Sequence, residues 1–430
     1  MENWKSRFFT IWAGQAASLF GSSLVQFALV WWLTVTTGSA TVLATATLAG
    51  MLPQILLSPF AGVVVDRASR RLVMLMADGL TALFTLLLAV LFATGQAQVW
   101  HVYAIMFIRS ATGAFHFPAM QASTSLMVPE QHLSRVAGMN STLQGLMSIA
   151  APALGALLVS LLPMQHVMLI DVGTAAIATL PLLFIAIPQP KREGSALGEG
   201  ATKPSFMADL REGVRYVLAW RGLTIMLGMA MLANFMLTPA GSLTPILVTK
   251  HFAGGAPQLA LLDAMWGVGM IAGGLLLSVW GGFKRRIFTS LFGLMLLGIS
   301  FAGVSVVPSG IFVAALVFFG LAGLANPITN GPIFAVMQAT IAPDKQGRVM
   351  ALIGALSTAV TPLSLLVAGP IADAFGVQVW YLVGGVTCLA LGVAGFFIPA
   401  LANIEAEMRR QAGPATEAAA SQPVIAAAGK

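Results

Sequence analysis

Apolar residues in this chain run in long stretches broken by short polar turns, a pattern unlike the alternating or one-faced blocks of a fold that sits in water. Crossing ~30 Å of hydrocarbon takes roughly 20 helical residues. Stretches of that length lie near 8–36, 42–65, 72–94, 99–122, 136–162 and 166–188, and again near 222–250, 257–281, 287–307, 310–336, 349–372 and 377–400. The pattern predicts an all-α integral membrane fold of twelve transmembrane helices, with a six-helix half at 1–188 and another at 222–402. Between them, residues 189–221 form a linker whose first part is rich in Gly, Ser and Lys. Its second part sets Phe206, Leu210, Val214 and Val217 along one helical face, which predicts an amphipathic helix on the membrane surface. The Ala-rich stretch 403–430, with scattered Gly and Pro, reads as a disordered tail.

The two halves rhyme at an offset of about 214 residues. Asp66-Arg67-Ala68-Ser69-Arg70-Arg71 stands where the second half has Gly281-Gly282-Phe283-Lys284-Arg285-Arg286. Pro118 to Pro129 followed by Glu130 matches Pro332 to Pro343 followed by Asp344. One unit used twice, with basic turns at matched places, is the layout of a secondary transporter made of two parallel halves.

Composition agrees. The 430 residues are 58% hydrophobic and 9% charged, where a soluble domain carries roughly a quarter charged residues. The net charge of +7 lies in short turns without interleaved aromatics, which argues against a nucleic-acid partner. Cys388 is the single cysteine, so no intrachain disulfide forms and no cysteine metal site is expected. The start of the chain reads as the approach to a first span rather than a cleavable signal peptide. Charge placement also orients the spans. With an even number of helices both termini share a side, and 20 of the 22 Lys and Arg residues fall on it. Lys250 alone falls opposite, and Arg109 lies inside a span. By the positive-inside rule both termini are expected to face the cytoplasm of a bacterial cell.

Intramembrane polar groups are the candidates for function. Arg109 costs about 2.5–3.5 kcal/mol at a helix centre on insertion scales, so it is expected to face a cavity or a partner. Its mate in the repeat is Gly323, so the fold unit itself does not require a base there. The reading is a role in coupling or substrate contact, with a purely structural ion pair as the alternative. The acids inside spans are Asp78, Asp171, Asp263 and Asp373. A proton carrier must exchange between charged and neutral forms, and Asp263 is the choice for it in the second half. Asp78 is read equally as a brace for the nearby basic turn. His116 reads as a satisfied interfacial histidine, although imidazole titrates near neutral pH. Gln15, Gln26, Gln54 and Asn234 are candidate cavity-lining groups, each also able to bond across helices. The sequence breaks at Pro239, Pro245, Asn326, Pro327, Asn330 and Pro332 mark places where a lost ladder bond either frees carbonyls toward a cavity or leaves a passive kink. The 22 methionines suit an adaptable apolar binding surface.

Gly62-Val63-Val64-Val65-Asp66-Arg67-Ala68-Ser69-Arg70-Arg71 resembles the loop between the second and third helices of the major facilitator superfamily. The family usually has Gly where Ser69 stands. The resemblance covers about residues 7–400. Within it, Trp12-Ala13-Gly14-Gln15-Ala16-Ala17-Ser18-Leu19-Phe20-Gly21-Ser22 and Met127-Val128-Pro129-Glu130-Gln131-His132-Leu133 are similar to the macrolide-efflux and siderophore-exporter branch of its drug:proton antiporters. The resemblance implies that Gly62, Asp66, Arg67, Arg70 and Arg71 form a latch between the halves, and that Arg109 takes part in proton coupling. The family's helix-five antiporter signature is reduced here to Pro152 and Gly155 within Met147-Ser148-Ile149-Ala150-Ala151-Pro152-Ala153-Leu154-Gly155-Ala156.

The expected function is proton-driven export of amphipathic small molecules of the macrolide type by alternating access. Export of a siderophore, or flipping of a lysophospholipid, is the alternative within the branch. No Walker loop occurs, so ATP is not the expected drive and no cofactor or metal is expected beyond the proton gradient. An intramembrane enzyme is the reading from another class, and neither His-Glu-x-x-His nor Gly-x-Ser-x-Gly is present to support it. A symmetric pore suits two halves that differ at Asp66 and Arg109 poorly. The expected partners are the substrate, protons and lipid, with the chain acting as a monomer.

Overall fold

The computed structural model describes residues 4–185, 187, 220–340 and 353–404. The linker 189–219, with its expected amphipathic helix, and the tail beyond 404 lie outside them. In the first half, α1 spans Trp4–Thr37, α2 Ala40–Arg67, α3 Arg70–Ala93, α4 Val99–Met127, α5 Glu130–Leu161 and α6 Met164–Phe184. In the second, α7 spans Arg221–Ser242, α8 Ala256–Trp280, α9 Arg286–Val306, α10 Phe312–Thr340, α11 Ile353–Phe375 and α12 Gln378–Phe397. Eleven of these helices are long and apolar enough to cross a membrane. α4 is the twelfth, its apolar character diluted by Arg109, Thr112 and His116. The chain is a multi-pass, all-α membrane protein of two six-helix halves.

Several helices run further than hydropathy indicates, for local reasons. Ser39 accepts from the Val42 N–H and so starts α2 at Ala40. α4 continues to Met127 because the polar residues at its end satisfy themselves on their own helix. Ser123 Oγ donates to the Ala119 carbonyl at 2.7 Å and Thr124 Oγ1 to that of Met120 at 3.0 Å. At the other end of the chain, Ile404 is buried in the cluster containing Trp220 and Leu223, so the packed fold extends into the start of the expected tail.

The prolines behave unequally. α5 runs unbroken through Pro152 and α10 through Pro327. α7 breaks between Pro239 and Pro245, and α11 is interrupted by a turn at Ala359 and Val360, just before Pro362. α7 ends at Ser242, Thr244–Ile246 makes a short turn, and Leu247–His251 follows as a π-helical segment. A pair of prolines does not by itself decide this, since α10 stays continuous past both Pro327 and Pro332; at the α7 break each proline removes a ladder donor. Thr244 Oγ1 lies 2.9 Å from the Gly241 carbonyl and 2.9 Å from the Tyr381 hydroxyl, which satisfies polar groups at the break.

Within each half, helix contacts rest on close backbone approach, the main attraction available where lipid is as apolar as leucine. α8 meets α10 so closely that a Cβ at Gly323 would lie 2.1 Å from the Trp266 carbonyl oxygen, and one at Gly269 would lie 2.1 Å from that of Gly320. Between halves, α2 packs on α11 and α5 on α8. The ends of the molecule differ. At the end carrying Arg70, Arg71, Arg285 and Arg286, the basic end, the apolar clusters stay within one half. Phe8, Ile11, Val65 and Met74 form one, and Trp220, Leu223, Ile287 and Leu401 the other. At the opposite end a single cluster joins Ala40, Leu43 and Ala44 of the first half to Leu243, Ala368, Ala372 and Tyr381 of the second.

Candidate functional site

Between the halves lies a cavity of about 850 Å³, lined by residues of α1 to α8. That volume falls within the range of roughly 300–1,000 Å³ typical of small-molecule sites. Its two walls differ in chemistry. The first half contributes most of the polar groups, and the second contributes Gly241, Ser242, Thr244 and Pro245 from the α7 break together with Leu259 and Asp263 of α8.

Arg109 is held at the cavity wall by a network drawn from four helices. Its guanidinium donates to Asp171 Oδ2 on α6 at 2.5 Å, to Thr85 Oγ1 on α3 at 2.9 Å and to the Ser22 carbonyl on α1 at 3.2 Å. Asp171 also accepts from Ser22 Oγ at 2.9 Å and from Thr85 Oγ1 at 3.3 Å. Arg109 is 9% exposed and Asp171 1%, so the pair is dehydrated and must satisfy itself. Asp171 is the functional-site residue that the spacing of the sequence left unassigned.

A second group sits toward the basic end. Gln15 Nε2 on α1 donates to Asp78 Oδ2 on α3 at 3.0 Å. His116 Nε2 on α4 lies 3.2 Å from Asp78 Oδ1 at an angle outside hydrogen-bond geometry, so the two touch while the ring nitrogen makes no hydrogen bond. Asp78 therefore faces Gln15 and His116 rather than bracing the basic turn. His116 is buried in the cavity wall rather than interfacial, because α4 runs on to Met127 and leaves it three turns from the helix end.

Asp263 stands across the cavity from these groups. Among the described residues it makes no hydrogen bond and no ion pair, whereas Asp78 and Asp171 are both engaged. Gln26 also lines the cavity, and Met51, Met106 and Met147 supply adaptable apolar surface. No group of three or more His, Cys, Asp or Glu residues among the described ones is placed to hold a metal ion.

Other candidates lie elsewhere. Asn234 does not line the cavity, and its amide donates to the Ala230 carbonyl of its own helix at 3.0 Å. Gln54 does not line the cavity, and its backbone N–H donates to Ser110 Oγ at 3.3 Å. Asn326, Pro327 and Asn330 belong to α10, away from the cavity, and Asn330 donates to the Asn326 carbonyl. Pro152 does line it, while Gly155 serves packing, since a Cβ there would lie 2.8 Å from the Phe27 ring. In the basic turn, Arg70 donates to the Ala122 carbonyl at 2.6 Å and Arg71 to the Leu183 carbonyl at 2.5 Å, all within the first half. Gly62 has open space around it. The Asp66 side chain lies outside the described part.

The first-helix motif now has a physical basis. Gly14 and Gly21 bring α1 against α6, where Cβ atoms would meet Ala178 and Thr174. Gln15, Ser18 and Ser22 then face the cavity, and Trp12 Nε1 donates to Asn140 Oδ1 on α5 at 2.7 Å.

Comparison with known proteins points the same way. Residues 11–243 match the family model of the Major Facilitator Superfamily. The chain is 34% identical over 391 residues to macrolide efflux protein A of Streptococcus pyogenes, covering 90% of this chain and 95% of that one. It is 27% identical to the multidrug efflux pump Tap of Mycolicibacterium fortuitum, over 90% and 94% of the two chains. A D-xylose-proton symporter of known structure superposes with a TM-score of 0.62 at 12% identity, over 90% of this chain and 96% of that one.

Proposed function

This chain belongs to the Major Facilitator Superfamily, and from that premise we propose that it exports amphipathic small molecules of the macrolide type by proton antiport. Membership in this superfamily makes it a transporter rather than an enzyme. The likeness to macrolide and multidrug efflux proteins supports small-molecule export as the activity. The observation that carries the finer reading is the cavity itself, closed at one end, with a carboxylate, Asp263, that has no hydrogen-bond or ion-pair partner among the described residues and faces a polar wall. Asp263 is the acid free to take a proton, or to take the ammonium of a substrate instead, so the two compete for one site. Arg109, paired with Asp171, holds a fixed positive charge in the opposite wall and keeps that wall from taking the proton in Asp263's place. Asp78, with Gln15 and His116, lines the path toward the basic end.

The basic end faces the cytoplasm of a bacterial cytoplasmic membrane, in keeping with the concentration of Lys and Arg there. Rocking of the halves switches which end of the cavity is open. The Asp66 loop latches the halves when the basic end closes; in the state described here, Arg70 and Arg71 bond within their own half among the described residues. The protein works as a monomer, with lipid around it and the proton gradient as its energy source.

The test is transport of a labelled macrolide by purified protein in liposomes with an imposed pH gradient. Wild-type protein is expected to move the label only with a gradient. Asp263→Asn is expected to lose gradient-driven accumulation by about tenfold or more while still exchanging label, because an amide carries no proton. Gradient-driven accumulation that survives in Asp263→Asn removes Asp263 from coupling. No macrolide movement by the wild type under any gradient removes the substrate assignment.

A further inference from the structure

The end of the cavity away from the basic turns is shut by a contact in which one half completes a helix of the other. α2 begins there, and the first N–H groups of a helix have no intrahelical partner. Asp373, near the end of α11 in the second half, supplies the missing acceptors. Its Oδ1 accepts from the Ala40 N–H at 2.8 Å. Its Oδ2 accepts from the Thr41 N–H at 3.0 Å, from Thr41 Oγ1 at 2.7 Å and from Ser39 Oγ at 3.0 Å. A negative charge at this position also complements the helix dipole. One turn earlier on α11, Gly369 lets the two backbones touch, since a Cβ there would lie 2.3 Å from Thr41 Cα. Trp380 Nε1 on α12 donates to the Ala368 carbonyl at 2.9 Å and fixes α11 at that level. Lys250, the other charged side chain here, runs its stem beside Gly38.

We infer that Asp373 is the positioning residue of the gate at this end: its carboxylate, seated on the N-terminus of α2 with Gly369 beside it, holds the halves together and must leave α2 each time the cavity opens there. The arrangement gives the gate a defined closed state. Four directional bonds and a backbone contact are made only when α2 and α11 meet in one register. On opening, both partners pass into water at the membrane surface, where the carboxylate and the N–H groups are solvated, so the gate releases without leaving a buried charge. The inference rests on the alternating-access reading above.

The experiment uses full-length protein with Cys388→Ala and a single cysteine placed in the cavity by Gln26→Cys. A membrane-impermeant maleimide is applied to sealed vesicles of each orientation. Asp373→Ala is expected to raise labelling from the Asp373 side by about tenfold, the scale set by loss of charge-assisted hydrogen bonds, and to lower it from the basic side. Asp373→Asn, which keeps an acceptor oxygen but no charge, is expected to fall between. Thr41→Val, which deletes one hydroxyl donor, serves as the mild variant should the alanine protein not fold, and is expected to shift labelling in the same direction by about twofold. A single monodisperse peak in size-exclusion chromatography in detergent reports that each variant is folded. Unchanged labelling from the Asp373 side in folded Asp373→Ala, or in folded Thr41→Val where the alanine protein is lost, overturns the inference. If the parent protein then still gains labelling from that side when the gradient is imposed, alternating access stands without this gate. If the parent never labels from that side, alternating access falls with it.

Discussion

A charge inside a membrane persists only if its surroundings answer it, and Arg109 shows how fully they do here. Its donors are met by Asp171, Thr85 and Ser22 from three other helices. Removing one partner leaves a buried charge unanswered, which costs about 3–5 kcal/mol, more than the net worth of the intact pair. Asp171→Asn is therefore expected to lower the thermal unfolding temperature in detergent markedly. Arg109→Leu combined with Asp171→Leu is expected to recover much of the loss while abolishing gradient-driven transport. A double variant as unstable as the single one would show that the network, rather than the unanswered charge, holds the fold. Arg109 was legible in the sequence from its cost alone. Asp171 was visible as an intramembrane acid, but its pairing with a residue 62 positions away is invisible to spacing, because which faces of α4 and α6 meet is decided by tertiary packing. Asn234 fails for the converse reason. A polar side chain in lipid can satisfy itself on its own backbone, and nothing in the sequence separates that from a residue facing a cavity.

Among the helices, the internal repeat turns out to mark both likeness and divergence. α4 and α10 are equivalent, yet the position that holds Arg109 in one holds Gly323 in the other. In α4 it opens onto the cavity, and in α10 it lets the helix touch α8 at Trp266. Gly323→Ala must displace backbone rather than a flexible side-chain tip, so it is expected to destabilise by about 1–3 kcal/mol. Gly228→Ala in α7 has open space and is the control, expected to be neutral or to gain up to about 1 kcal/mol from helix propensity. Unfolding temperatures of the two variants side by side check the pair, and equal losses would refute the packing argument. The number and order of helices were legible because hydropathy needs only a run of apolar residues. Their ends were less so, since Ser, Thr and Gln near a terminus look polar while bonding inward. Proline positions were the least reliable guide: Pro152 and Pro327 sit in continuous helices, whereas the Pro239–Pro245 pair breaks α7 and turns Gly241 and Ser242 toward the cavity.

For the molecule as a whole, two asymmetries coincide. The end that carries the basic turns has separate apolar clusters in each half, and the end that carries Lys250 and Asp373 has one cluster shared by both. If the basic end faces the cytoplasm, the state described here opens inward, ready to load substrate from the cell. The orientation can be measured directly with cysteines in turns whose ends are fixed by the helix order, in a Cys388→Ala background. Ser69→Cys lies in the exposed turn between α2 and α3, and Gln96→Cys in the exposed turn between α3 and α4. A single span separates them, so they must lie on opposite sides of the membrane whatever the overall orientation. In intact cells an impermeant maleimide is expected to label Gln96→Cys and to spare Ser69→Cys until the membrane is opened. The reverse pattern would invert the direction of transport drawn from this structure, and with it the side on which Asp373 gates. Labelling of both from outside would remove α3 as a membrane span and break the pairing of the two halves on which the transport reading depends.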